Sequence, residues 1–362
     1  MKIDFAKLQD QYQLYKTEID EAIHSVLDKS NYIMGEEITQ LEESLQEFTK
    51  VKFAISCSSG TDALLLSMMA MDIKPGDEII TTPFTFIATA ETIAFLGATP
   101  IFVDIDEKTY NINADLIEEK ITSKTKAIIP VSLYGQPAEL PKIEAIADKH
   151  NLKVIIDGAQ SFGSTYDGIS DSNLGDFSTT SFFPAKPLGC FGDGGAVFTN
   201  DEEMALKMKQ LRVHGQNKRY HHKYIGMGGR LDTIQAAILN VKLKYYNKDL
   251  ALREKVASKY TKALENKSNI ILPFVAPNAT SAWAQYSIRV KNRDEVQARL
   301  KEQGIPTAVH YPMPLHLQEC FSYLGYKQGD FLISEIVAQE IMSLPMNPYL
   351  SDEEIDYICE QF

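Results

Sequence analysis

One lysine in this chain has unusual neighbours. Lys186 lies in "SFFPAKPLGCFGDGG", residues 181–195, after Phe182, Phe183 and Pro184 and before Pro187, Leu188 and Gly189. Most lysines are solvated. An amine set among apolar residues loses hydration and its pKa falls. It then becomes a nucleophile and a base that can condense with a carbonyl. A second group is Asp157 in "VIIDGAQ", after Val154, Ile155 and Ile156. A buried strand there would end on this carboxylate, at the edge where open α/β sheets bind ligands. The position costs desolvation unless a cation or hydrogen bonds offset it, and a helix cap or a structural ion pair would serve equally. Gln160, three residues on, can face the same place. A third group is the turn Cys57-Ser58-Ser59-Gly60-Thr61, between an apolar run and a helix start. Free amides at a helix N-terminus attract an anion, and glycine admits close backbone approach. A capped helix without a ligand fits the same residues.

An amine, an acid and an anion cradle make a joint demand. Pyridoxal phosphate presents an aldehyde, a ring nitrogen and a phosphate. Enzymes meet these with a lysine, usually an aspartate, and a phosphate cup. Gly60 and Thr61, then Asp157, then Lys186 supply that set, and Ser181 lies five residues before the lysine. The glycines of "GCFGDGG" are no dinucleotide fingerprint, because a strand and not a helix follows them. They let the chain turn tightly behind the lysine. His214, His221 and His222, in "RVHGQNKRYHHKY", show neither helical i,i+4 spacing nor a third ligand, so no metal is expected there. That loop reads as one that touches an anionic substrate.

The elements that must position these groups follow from periodicity. Residues 14–50 read as helical around a "NYIMGEE" turn. Seven β-rich runs follow at 53–57, 78–86, 100–105, 127–135, 153–160, 177–183 and 195–200. Several are apolar on both faces, as strands covered by helices on each side are. The spacers at 58–73, 88–97 and 140–150 read as helices, so a mostly parallel α/β sheet is expected. No helix separates the last two runs, which suggests one antiparallel pair. Residues 201–265 read as long helices. After Pro273 a strand at 281–290, a helix at 293–304 and an extended piece at 306–314 read as a second, smaller α/β domain. The expected division is 1–250 and 251–362.

The totals bound the rest. The chain has 362 residues, 44% of them apolar, and a formal charge of −13. That balance argues against nucleic-acid binding, which needs a basic face. It leaves room for an anionic small molecule held by local cations and amides. Four separated cysteines read as cytosolic thiols. The N-terminal residues carry no apolar signal region and no run is long enough for a membrane span, so a cytoplasmic protein is expected.

Together "SSGTDAL", "GDEIITTPFTFIATAE", "IIDGAQSFGSTYDG", "SFFPAKPLGCFGDGGAVFTND", "RLDTIQAA" and "IPTAVHYPMPLH" resemble the sugar aminotransferases of the DegT/DnrJ/EryC1/StrS family over nearly the whole chain. The resemblance implies a fold-type I pyridoxal-phosphate enzyme. Lys186 would hold the cofactor aldehyde, Asp157 its ring nitrogen and Gln160 its ring hydroxyl. Phe86 would stack on the ring, and Gly60, Thr61 and Ser181 would cup the phosphate. Arg230, His310 and Tyr311 would face a nucleotide-sugar substrate, Arg230 from the partner subunit. L-Glutamate as amino donor and a homodimer with a shared active site are implied in the same way. Lys186 argues against the related sugar dehydratases, which carry histidine at that position. One departure stands out. The family usually has an asparagine two residues before the arginine of "RLD", reaching the phosphate across the dimer. Here the position is Gly228, which leaves that contact missing or replaced by backbone or water.

Overall fold

The structure is a computed structural model that describes residues 3–362. Its large sheet is built from β1 (Phe53–Cys57), β2 (Glu78–Thr81), β3 (Thr99–Phe102), β4 (Thr125–Ile128) and β5 (Lys153–Asp157). After a small hairpin, β6 (Thr165–Tyr166) and β7 (Ile169–Ser170), come β8 (Phe177–Ser181) and β9 (Gly195–Thr199). The order across the sheet is β1-β9-β8-β5-β4-β2-β3. All seven runs expected from the sequence contribute one strand each. Neighbouring strands are parallel from β8 through β5, β4 and β2 to β3. Strand β9 is antiparallel to both its neighbours. It follows β8 through a loop that contains no helix, and the chain returns antiparallel.

Helices cover both faces. They are α1 (Leu8–Lys29), α2 (Glu36–Thr49), α3 (Gly60–Ala70), α4 (Ala88–Phe95), α5 (Leu140–His150), α6 (Glu202–Leu211) and α7 (Thr233–Leu264). Ile55, Ile79, Ala127, Ile155 and Val197 point to one face and pack with Leu64, Leu66 and Met68 of α3. Ala54, Ala196 and Phe198 point to the other and pack with Leu41, Leu45 and Leu239. Each of the larger side chains among these, the Ile, Leu, Val, Met and Phe residues, contributes about 1.5–3 kcal/mol on burial.

The smaller sheet joins β12 (Ile270–Ile271), β13 (Tyr286–Val290) and β14 (Ile341–Leu344). The hairpin between α6 and α7 supplies β10 (Gln216–Lys218) and β11 (His221–His222). The last helices are α8 (Arg293–Glu302), α9 (Leu332–Glu340) and α10 (Asp352–Cys359). Helix α7 runs through residue 250. Its first half packs on α1 through Ile238 and Val241. Its second half packs on the smaller sheet through Val256, Tyr260 and Leu264, and Ile3 joins that same cluster.

Three expectations change. The runs at 78–86, 127–135 and 153–160 stop being strand after Thr81, Ile128 and Asp157. Their remaining residues turn over the carboxyl edge of the sheet. The piece at 306–314 forms no strand, only an isolated bridge from Ala308 to Ser343. Pro306, Pro312 and Pro314 lack the amide that a ladder needs. Residues 212–232 are not helical either. His214 and Gly215 take positive φ, and Gly226 packs its α-carbon against the Leu211 carbonyl, where a side chain would collide.

Candidate active site

The carboxyl edge gathers most of the expected residues. Asp157 ends β5 and is 5% exposed. Its Oδ2 accepts a hydrogen bond from Thr89 Oγ1 at 2.7 Å, and its Oδ1 accepts from the Ala159 amide at 3.2 Å. Thr85 Oγ1 lies 3.0 Å behind Thr89 Oγ1. Burial raises the pKa of Asp157, and the two hydrogen bonds and the Lys186 charge pull it back. Lys186 is half-buried, in the loop after β8, and its amide donates to Phe183 O at 2.8 Å. Desolvation lowers its pKa, and the Asp157 carboxylate opposes that shift. Its Nζ has no hydrogen-bond or ion-pair partner among the described residues. A desolvated amine facing a buried carboxylate is an amine prepared to react.

Two further residues close on this pair. Gln160 Oε1 accepts from the Tyr134 amide at 2.7 Å, while its Nε2 donates to the Tyr311 hydroxyl at 3.2 Å. His310 Nδ1 sits 2.9 Å from Ser343 Oγ. Burial and the Lys186 charge push the His310 imidazole down to about 4, so it is neutral at pH 7. The Tyr134 hydroxyl donates to the His310 carbonyl. Tyr311 stands beside Phe86, with ring centroids 6.1 Å apart, and Phe86 is 55% exposed. An aromatic ring left this open at a polar site is available to a second flat ring.

The anion cradle is built from three strand ends. Helix α3 begins straight after β1, and Ser59 caps it by accepting from the Asp62 amide at 3.0 Å. The amides of Gly60 and Thr61 have no acceptor among the described residues, nor has the Thr61 hydroxyl a partner. A Cβ on Gly60 would lie 2.7 Å from Ser181 Cβ, and one on Gly195 would lie 2.4 Å from the Ser59 carbonyl. These glycines are therefore what lets β1, β8 and β9 meet closely. Gly60→Val is expected to weaken pyridoxal phosphate binding about tenfold or more, because overpacking costs about 1–3 kcal/mol and falls on the cradle itself. Titration of the apo-protein by fluorescence would check this. Unchanged affinity would remove Gly60 from the cup.

Among the described residues Arg230 is tied to the cluster by no polar contact, although the carbonyl of its neighbour Gly229 accepts from the Ser58 amide at 3.1 Å. It makes no hydrogen bond or ion pair to Asp157, Lys186 or Tyr311 among the described residues, and its Nε is buried without a partner. Gly228 lies beside it. A side chain there would start 3.2 Å from the His214 ring and 3.9 Å from Arg230 Nη2. Of the three histidines, His221 and His222 are exposed on the hairpin, and His222 Nδ1 lies 2.7 Å from the His214 carbonyl. A cavity elsewhere, lined by Lys74, Asp77, Thr125 and Lys153, opens at the amino ends of the strands and contains none of the site residues.

Sequence reasoning missed Thr89, Tyr134 and Ser343. Thr85 and Thr89 are spaced i,i+4 at the start of a helix, a faint signal of a shared face. Tyr134 and Ser343 act through positions that only the fold brings near.

The residues present fit pyridoxal phosphate. A free amine suits its aldehyde, a carboxylate its ring nitrogen, an amide donor its ring oxygen, and a capped helix start its phosphate. When bound, that cofactor supplies a ring that takes up electrons released at an amine-bearing carbon. Fold and site thus define an α/β enzyme of the fold-type I pyridoxal-phosphate class. The chain matches the DegT/DnrJ/EryC1/StrS aminotransferase family over residues 13–362 and belongs to it. It is 50% identical, over 99% of its length and 98% of the relative's, to a UDP-2-acetamido-2-deoxy-3-oxo-D-glucuronate aminotransferase of Pseudomonas aeruginosa. It is 42% identical, over 99% of its length and 98% of the relative's, to a dTDP-3-amino-3,6-dideoxy-alpha-D-galactopyranose transaminase of Aneurinibacillus thermoaerophilus. The crystal structure of NtdA from Bacillus subtilis, with bound cofactor PMP, superposes with a TM-score of 0.92 at 31% identity. That match covers 99% of this chain and 84% of the other. The protein is a pyridoxal-phosphate-dependent aminotransferase of this family.

Proposed function

We propose that this aminotransferase carries an amino group from L-glutamate to C3 of a keto nucleotide sugar, UDP-2-acetamido-2-deoxy-3-oxo-glucuronate, for O-antigen or other surface-polysaccharide synthesis in the cytoplasm. The observation that carries the substrate is the 50% identity, end to end, with a relative of that name. In this reading Lys186 Nζ takes the proton from the amine-bearing carbon and returns it nearby. Asp157 holds a proton on the ring nitrogen, and Gln160 orients the ring. Gly60, Thr61 and Ser181 hold the phosphate, and Phe86 covers the ring face. His310 and Tyr311 meet the sugar.

The site is shared in a homodimer, and Arg230 serves the partner's substrate. The open side of the cluster at Phe86 and Phe183, each more than half exposed, supports that arrangement, as does the absence of any hydrogen bond or ion pair from Arg230 to the other site residues among those described. The division of the chain near residue 250 belongs to the same proposal. A second reading, a dTDP-linked 3-keto sugar, is favoured by the 42% identical relative. A panel of UDP- and dTDP-linked keto sugars, incubated with L-glutamate and read by mass, separates the two. Amination of the UDP-uronate alone is expected. Exclusive turnover of a dTDP sugar or a 4-keto-6-deoxy sugar would replace the first reading.

A further inference from the structure

A second carboxylate lies beneath the turn that presents Asp157 and Gln160. Asp171 is 1% exposed, in the short segment after β7. Its Oδ1 accepts from Ser132 Oγ at 3.2 Å, and its Oδ2 accepts from Ser161 Oγ. Its own amide donates to Ser164 O at 3.0 Å. Neither serine is incidental. The Ser132 amide donates to the Asp157 carbonyl at 3.0 Å, and the Ser161 amide to the Gly158 carbonyl at 3.1 Å. Ser161 also follows Gln160 directly. A Cβ on Gly158 would lie 3.1 Å from Ser161 Oγ and 3.4 Å from Asp171 Oδ2, so the acid sits right under the turn.

Asp171 has no ion-pair partner among the described residues. The groups facing it are the two serine hydroxyls and Asp157, with the Lys186 amine beyond Asp157. Burial pushes its carboxyl up to about 6, and the nearby Asp157 charge works in the same direction. A folded pKa above the ordinary value means that the stability this group contributes is complete below the usual carboxylate range. It is lost as pH rises through about 6. At neutral pH the fold therefore carries a buried negative charge at a cost, and a neutral residue of the same shape would remove that cost.

We propose that Asp171 is a positioning residue of the cofactor site: its carboxylate ties Ser132 and Ser161 beneath the Asp157–Gln160 turn, and its negative charge favours a proton on the group that Asp157 faces. The inference rests on the reading of Asp157 as partner of the ring nitrogen. It adds a second anion behind the first, which strengthens the hold on a protonated ring without touching it.

The test compares apo wild type, Asp171→Asn and Asp157→Asn, with pyridoxal phosphate as the titrant at pH 5 and pH 8 and thermal melting at both. At pH 8 Asp171→Asn is expected to bind the cofactor about threefold to tenfold more weakly. It should melt at an equal or higher temperature than wild type. The affinity gap should close toward pH 5, where wild-type Asp171 carries its proton. A purely structural role would move melting and leave the affinity gap absent at both pH values, and that result overturns the inference. Should Asp171→Asn not fold, Ser161→Ala and Ser132→Ala each remove one tie and keep the charge. Weaker binding in at least one is expected, and wild-type binding in both overturns the proposal. The control separates the levels. If Asp157→Asn also leaves binding and cofactor absorbance unchanged, the underlying reading of Asp157 has failed. If it changes them while Asp171→Asn does not, only the present inference has.

Discussion

Lys186→Ala is expected to fold, to bind pyridoxal phosphate, and to lose at least about a thousandfold in turnover with L-glutamate. The site contains one desolvated amine. His310, whose imidazole the Lys186 charge reaches, is held neutral with a pKa of about 4, so it is a poor acceptor for a proton from carbon. In the proposed mechanism alanine removes both the nucleophile and the base in one change, while the loop loses only a side chain that burial disfavoured when charged. Arginine will not rescue it, since guanidinium stays protonated and cannot act as a base. The checks are single-turnover amino transfer followed by mass, and borohydride trapping of the cofactor with the modified peptide located. Trapping on a residue other than Lys186, or full amino transfer by the alanine variant, would end the assignment.

The second large effect is expected at Asp157→Asn, a loss of about a hundredfold to a thousandfold in kcat with a smaller change in KM. Asparagine keeps the shape and can still accept the Thr89 hydroxyl at one oxygen. It could not stabilise a positive nitrogen on a bound pyridoxal ring, and so would withhold the charge partner on which that ring's electron uptake depends. Thr89→Val should give a milder loss of the same kind, because Asp157 would lose its 2.7 Å donor and hold its orientation less well. Stopped-flow absorbance of the bound cofactor with L-glutamate reports the step directly. An asparagine variant with wild-type kcat would show that the carboxylate only braces β5.

Much of this architecture was legible before any coordinates. Seven β-rich runs gave seven strands because buried parallel strands are apolar on both faces and cannot hide in the sequence. The antiparallel β9 followed from the missing helix before it. Lys186, Asp157 and the Gly60 turn were visible because each breaks a local rule: an amine among apolar residues, an acid ending a buried strand, a glycine opening a helix. Thr89, Tyr134 and Asp171 break no such rule. Their roles depend on who stands opposite in the fold, and such opposition leaves no periodic trace. Asp171 is the clearest case, since "DGISDSN" reads as an ordinary polar turn. The extended piece at 306–314 joins no ladder because its β-like residues are interleaved with prolines. Arg230 was placed with the site by resemblance alone, and its own chain supplies no contact that fixes its role.

Strand β9 also bears on when the site can form. Gly60 of the proposed cup and its capping residue Ser59 sit just past the end of β1, and Gly195, the first residue of β9, lies directly against them. Strands β1 and β9 pair directly although well over a hundred residues separate them. Such long-range pairing is slow, because loop closure must precede the contacts that reward it. During synthesis the helix start at Gly60 emerges early and then waits, without that neighbour, until the Lys186 loop and β9 have followed. The Gly60 turn gains its neighbour only when β1 and β9 pair, so a ligand held there and at Lys186 binds the paired sheet and stabilises it by mass action.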